Sequence, residues 1–310
     1  VAATYMNAGL WADAVNPLTL MLGGKNDKAA LAYYDLGYVY QKLHDPQKAA
    51  EAFAAAAKAP VDYAFPFQME MIPVLEAAMA ANPADARAPY YLGDLLFDSQ
   101  PQRATALWEH SAQLGADFPV VYRNLALLAT RDGSAPEQQQ KATALLEKAA
   151  SLGGSAMVFS ELDKLYEWNG VSPEKRLAML QQHPAAMTRD EVIAREINLE
   201  IVAGTYDNAL TLLQSRLFRA WEGGPRYSLG DAWAEACILR GRQRLAAKRY
   251  VDAIMDFQSA SKFPANLQDA MGGASNRDVE TGYWIGRTYE AMGDLEQAAA
   301  RRAAIDDLLE

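Results

Sequence analysis

The sequence predicts an all-α fold: antiparallel helix pairs stacked into a right-handed α-solenoid. Three observations carry that expectation. Alanine dominates a hydrophobic content of 51%, and it is both the best helix former and the residue that lets helices touch. The 20 glycines and 14 prolines fall mostly between apolar-periodic stretches, where helices end. A small residue flanked by bulky apolar ones recurs along the chain at intervals that a chance bundle would not repeat.

The units follow in order. Gly9-Leu10-Trp11 with Ala14 and Leu18 reads as the back half of a unit whose front is missing. Tyr33-Tyr34-Asp35-Leu36-Gly37-Tyr38-Val39-Tyr40, then Asp45, Ala49, Phe53 and Ala56, is a full helix–turn–helix unit. After Phe65-Pro66-Phe67, an extra helix is predicted around Gln68 to Ala81. Leu92-Gly93 with Ala104 and Trp108 is a third unit, one residue short in its turn. Tyr122, Leu125 and Ala126 pair with Ala142, Leu146 and Ala149 across a longer loop. Phe159, Leu162 and Tyr166 lead through Asn169-Gly170 to Leu177 and Leu180, and Ile197 leads through Gly204 to Ala209 and Leu213. Gly241 precedes Tyr250, Ala253 and Phe257, and Ile285-Gly286 precedes Tyr289, Gly293 and Ala298. The predicted boundaries are 1–28, 29–63, an extra helix over 64–83, 84–116, 117–153, 154–186, 187–220, an insertion over 221–229, 230–264 and 275–310, all in one solenoid domain.

The small positions Gly37, Gly93, Ala126, Asp163, Ile197, Gly241 and Gly286 are spaced by 56, 33, 37, 34, 44 and 45 residues. Three gaps lie near the ~34-residue tetratricopeptide period, and the other three carry insertions. The spacing has a mechanical reason. A small residue on the first helix lets the second approach, an alanine on the second meets it, and bulky residues fill the space between successive pairs. Gly286 is one such contact, and an indole there is expected to unzip the C-terminal pairs.

Charge and composition exclude several function classes. A formal net charge of −10 opposes nucleic-acid binding, which needs clustered Lys and Arg, and opposes an anionic membrane surface. With one cysteine, Cys237, no intrachain disulfide can form, and its apolar neighbours predict an inert buried thiol. The histidines, His44, His110 and His183, are too scattered to form a metal site. No stretch is long and apolar enough for membrane insertion. No phosphate loop, nucleophile elbow or dinucleotide fingerprint occurs, so no catalytic residue, metal or cofactor is expected. The start at Val1 has neither an initiator Met nor a signal-peptide layout. A fragment of a longer protein is therefore expected, and the compartment is left open, with the cytoplasm favoured by default.

In such solenoids the first helix of each pair lines a concave face. Counting from the small positions, the outward residues are Tyr34, Tyr38, Tyr90, Asp94, Phe97, Arg123, Lys164, Trp168, Tyr283 and Arg287, with Glu290 beside them. Aromatics among cations suit a peptide or sugar-bearing ligand. The competing reading is that several of these rings pack between neighbouring repeats. The Lys and Asn of a carboxylate clamp are missing at Tyr34 and Tyr38. The loop residues Trp221, Glu222, Gly223 and Gly224 break helical periodicity and are candidates for contact with a ligand or a neighbouring domain.

Leu31-Ala32-Tyr33-Tyr34-Asp35-Leu36-Gly37, Phe65-Pro66-Phe67, Ala88-Pro89-Tyr90-Tyr91-Leu92-Gly93, Leu107-Trp108-Glu109 and Trp221-Glu222-Gly223-Gly224 occur in that order. Together they resemble the C-terminal tetratricopeptide region of large bacterial proteins of a domain-of-unknown-function family, whose front half is similar to carbohydrate-associated β-sandwich domains. The resemblance runs from about Ala29 to Arg302. Ser99-Gln100-Pro101 and Arg244 depart from its pattern. It implies a non-catalytic scaffold that docks onto neighbouring domains of the same polypeptide in a carbohydrate-related setting. The alternatives are a free-standing peptide-binding adaptor, or a repeat region that lends Glu222 to a glycoside-processing site.

Overall fold

The computed structural model describes residues 1–23, 29–62, 64–131, 135–184, 188–218, 228–270 and 276–309. The described elements are helical throughout and divide into two compact units, Val1–Gly154 and Ser155–Glu310.

The described residues of unit 1 form nine helices: α1 (Ala2–Asn7), α2 (Trp11–Leu22), α3 (Ala29–Lys42), α4 (Pro46–Ala56), α5 (Met71–Ala81), α6 (Arg87–Leu96), α7 (Pro101–Gln113), α8 (Pro119–Arg131) and α9 (Pro136–Ser151). The pairs α1/α2, α3/α4, α6/α7 and α8/α9 each pack together. The short α1 supplies the front helix that the sequence pattern lacked. The extra helix α5 sits between the second and third pairs, touching α3 and α6. Proline at the first turn starts α4, α7 and α9, where its missing N–H costs nothing. Asp45 completes the start of α4 by accepting the Lys48 backbone N–H.

Unit 2 holds α10 (Ala156–Trp168), α11 (Pro173–Gln181), α12 (Asp190–Val202), α13 (Tyr206–Gln214), α14 (Leu229–Ala246), α15 (Tyr250–Ala260), α16 (Asp278–Met292) and α17 (Leu295–Leu309). A 3-10 segment, Ala265–Ala270, follows α15. Its Asn266 donates to the carbonyls of Leu213 and Arg216, tying it to the end of α13. Four more helix pairs result, so the described residues form a tetratricopeptide-type fold of eight pairs and one extra helix.

The register expected from the small positions is visible in the backbone. Seven residues after Asp163, Ile197 and Gly286 stand Gly170, Gly204 and Gly293, all left-handed. At the same place after Gly37 and Gly241 stand His44 and Lys248, with φ of 59° and 61°. These non-glycine residues hold the turn at a steric cost. After Gly93 the equivalent residue is Gln100, with φ −138°, which caps α7. This is the turn predicted to be one residue short.

What meets the small residue differs from the expected alanine contact. A Cβ added at Gly37 would lie 2.5 Å from the Phe53 ring, at Gly93 2.5 Å from the Trp108 ring, and at Gly241 2.6 Å from the Phe257 ring. An aromatic ring on the second helix occupies the space beside each glycine. Gly286 is the exception: its nearest neighbour would be Arg301 Cβ, at an ordinary 3.5 Å. The tight contact expected at Gly286 is therefore found at the other three glycines. Asp163 replaces the small-residue contact with charge, since its fully buried carboxylate binds Arg176 at 2.8 Å and also pairs with Arg195. Asp256 is used similarly, joined to Arg240 and Arg244, and Arg240 reaches on to Asp207. Such buried pairs penalise removal of either partner.

Candidate functional site

A groove of about 560 Å³ lies wholly within unit 1, between α6, α8 and the segment that follows α4. It brings together four predicted residues, Tyr90, Asp94, Phe97 and Arg123. Phe65 and Pro66 form one rim, in a segment of alternating burial where Ala64 and Pro66 are buried and Phe65 and Phe67 exposed. Phe65 is 64% exposed and lines the groove. Buried neighbours on both sides thus hold an aromatic ring exposed at the groove's edge.

The floor is built on Asp94. Its Oδ1 accepts Trp108 Nε1–H at 3.0 Å and Asn124 Nδ2–H at 3.2 Å, and the Tyr90 hydroxyl also hydrogen-bonds its carboxylate. One carboxylate therefore joins α6, α7 and α8. Burial pushes its pKa up to about 6, against the opposing pull of the donors from Tyr90 and Trp108. Phe97 packs on Trp108 at 5.1 Å between centroids, and Tyr90 on Phe118 at 5.0 Å. Leu127 and Leu128 line the α8 wall between Arg123 and Arg131.

Two predicted outward residues are placed otherwise. Tyr34 is fully buried and donates to Asp85 at 2.7 Å. Asp85 also accepts the backbone N–H groups of Arg87 and Ala88, where α6 begins. Tyr90 is 2% exposed and offers the groove only a small part of its surface. Both rings pack with Tyr91 in a layer between α3 and α6, which is the competing reading of the sequence. The extra helix α5 packs against both α3 and α6 and helps to cover these faces.

The remaining candidates stand apart from the groove. Tyr38 is half-buried, edge-on to Trp11 and beneath the Lys42 ammonium. In unit 2, Lys164 is paired with Glu191 at 2.9 Å, and Trp168 is 68% exposed. Tyr283 lines a separate concavity with Val279 and Ile305, and Arg287 is paired with Glu290. Trp221, Glu222, Gly223 and Gly224 lie outside the described residues. Sequence reasoning missed Asn124, Leu127 and Arg131 as groove residues. Counting Leu127 and Arg131 in steps of four from Arg123 along one helix face would have found them.

Cys237 is buried, and burial pushes its thiol up to about 12, away from nucleophilic chemistry. Among the described residues no group of three or more His, Cys, Asp or Glu side chains is placed to hold a metal ion. No described helix is long and apolar enough to cross a membrane.

No protein-family model matches the chain. Among solved structures it is similar to YrrB, described as a tetratricopeptide protein with an unusual peptide-binding site. That match has 17% identity over 75% of this chain and 91% of the other, with a TM-score of 0.32. It is similar also to the tetratricopeptide domain of P58(IPK), at 14% identity over 99% of this chain and 81% of the other, TM-score 0.31. A third is PilF of Pseudomonas aeruginosa, at 14% identity over 92% and 94% of the two chains, TM-score 0.26. The fold assignment rests on the chain's own helix pairs and turn register, and at these scores the likenesses carry no argument of their own.

Proposed function

We propose that this chain is a non-catalytic tetratricopeptide scaffold that holds an extended segment of a protein partner in the unit 1 groove. The observation that carries the reading is the segment of alternating burial that keeps Phe65 exposed opposite the apolar wall at Leu127, over a floor braced by Asp94. A hydrophobic centre with polar edges is the anatomy of a recognition surface. Nothing in the groove supplies a nucleophile with an adjacent base.

The test is selection from a random peptide display library on the immobilised full chain, with counter-selection on Leu127→Asp and Phe65→Ala. Both side chains are exposed, so both variants should fold. Clones that bind the native chain and neither variant support the reading. Clones that bind all three equally refute it. The resemblance to the repeat region of carbohydrate-associated bacterial proteins favours a partner in the same polypeptide. An immunoblot of source cells checks that refinement: a band well above 33.9 kDa supports it, and a band at that mass removes it.

A further inference from the structure

The segment that carries Phe65 offers a ligand more than its ring, and the occupant inferred from it rests on the scaffold reading. Burial alternates along residues 64–67, with Ala64 and Pro66 buried and Phe65 and Phe67 exposed. That is the two-residue period of an extended strand. Pro66 also pushes the residue before it into extended backbone. Backbone groups in a fold are ordinarily paired. Yet among the described residues no hydrogen bond reaches the backbone N–H or carbonyl of Phe65 or Phe67. Alternate residues of a strand present their N–H and C=O groups to the same edge. Phe65 and Phe67 therefore share one edge with its donors and acceptors complete, whereas the other edge lacks an N–H at Pro66.

Charge narrows the occupant further. Asp62 before the segment and Glu70 after it are both exposed. Asp62 acts through space on Tyr90 and Tyr91, which places it beside the groove, and Glu70 accepts Asn7 Nδ2–H at 3.4 Å. Lys58, exposed just after α4, is the cation that precedes them. Of the charges that line the groove, Asp94 is engaged in the floor, Arg123 has an interaction within the chain, and Arg131 stands at the end of α8. The segment itself is thus bracketed by acids.

We propose that the groove takes its occupant by strand addition: an extended peptide with an apolar centre and a basic residue at each end pairs its backbone with Phe65 and Phe67. The basic ends lie on Asp62 and Glu70, and alternate apolar side chains enter the groove beside Phe65 and Leu127. In this mode main-chain bonds give affinity, while side-chain pockets give specificity. Residues 62 and 70 are at most ~26 Å apart at ~3.3 Å per residue. Turns at both ends shorten that span, so basic residues six apart, ~20 Å in a strand, match it. A second copy of the chain fits less well, because a net charge of −10 on each copy opposes their approach.

The test is fluorescence anisotropy of the full chain at low salt with labelled Lys-Val-Thr-Leu-Thr-Val-Lys. Two backbone N-methylated versions, one at both threonines and one at the three apolar residues, each strip the donors from one peptide edge. Strand addition uses a single edge, so one version should bind at least about fivefold more weakly and the other like the parent. The same peptide with glutamate ends should bind at least about tenfold more weakly than the parent, since like charges then meet. Asp62→Lys, on an exposed position, should narrow that preference. Phe67→Pro deletes a ring and a backbone donor, Phe67→Ala the ring alone, and the position is exposed, so both should fold. The proline variant should bind at least about fivefold more weakly than the alanine variant. The proposal is overturned if the native chain does not bind the lysine-ended peptide, or if the two methylated versions bind alike. Equal affinity of Phe67→Pro and Phe67→Ala, or an unchanged charge preference in Asp62→Lys, also overturns it. The display selection separates the two readings. Groove-dependent clones that Phe67→Pro and Phe67→Ala bind alike overturn this inference and leave the scaffold standing, whereas failure to find groove-dependent clones removes both.

Discussion

Glycines at the same repeat position should respond to alanine with opposite sign. In Gly37→Ala the new Cβ would lie 2.5 Å from Phe53 Cε1 and 2.6 Å from Cδ1, against an ordinary carbon–carbon approach of about 3.5 Å or more. The ring must therefore move by about 1 Å. Phe53 is 1% exposed, so that movement disturbs packed neighbours, and overpacking of this kind costs about 1–3 kcal/mol. Alanine returns about 0.5–1 kcal/mol over glycine inside a helix. The net expectation is a loss of up to about 2.5 kcal/mol. At Gly286 the added Cβ meets Arg301 Cβ at 3.5 Å. No clash arises there, and the variant should gain about 0.5–1 kcal/mol. Urea unfolding followed by far-UV circular dichroism measures both, with midpoints compared at constant slope. A second comparison isolates the cause: in a Phe53→Ala background, Gly37→Ala should become neutral or stabilising, because the ring is gone. If Gly37→Ala and Gly286→Ala shift the midpoint alike, the ring-contact account of the repeat is wrong.

Two further expectations concern the turns and the buried acids. His44→Gly and Lys248→Gly should each stabilise by about 0.5–1 kcal/mol, since φ of 59° and 61° strains any residue with a Cβ; a lowered melting temperature in both would contradict this. Burial pushes Asp35 up to about 7, as it pushes Asp94 up to about 6. A carboxyl raised on folding binds its proton more tightly in the folded state, so stability rises as pH falls from about 8 to 5. Asp35→Asn should then be more stable than the native chain at pH 8 and nearly equal to it at pH 5. An equal loss at both pH values would show that the carboxylate is needed for a contact rather than tolerated against burial.

Much of the local structure was legible because it depends on nearest neighbours along the chain. Proline at a first turn, as at Pro46, Pro101 and Pro136, marks a helix start wherever the helix later packs. The seven-residue step from small position to left-handed turn, as from Asp163 to Gly170, is a property of one helix and its exit. The short turn at Gln100 could be counted directly. Even Asp163 was found in its register, although its pairing with Arg176 and Arg195 was not, because three separate helices must meet before that charge can be buried.

The site divides in the same way. Sequence periodicity places Tyr34, Tyr90, Asp94 and Arg123 on first helices of their pairs, with Phe97 just past the end of α6. It could not determine which of them face a ligand, because a helix in a stacked array is contacted on several sides and periodicity does not say by what. Packing between helices decided that Tyr34 turns inward to Asp85, fifty-one residues away in sequence, while Asp94 collects donors from the next two helices. It also decided that an irregular segment with no helical signal, Phe65 and Pro66, forms a wall of the groove. Local preference selects helices and turns over a few residues. The faces they leave open are set by contacts between segments that the chain brings together only on folding.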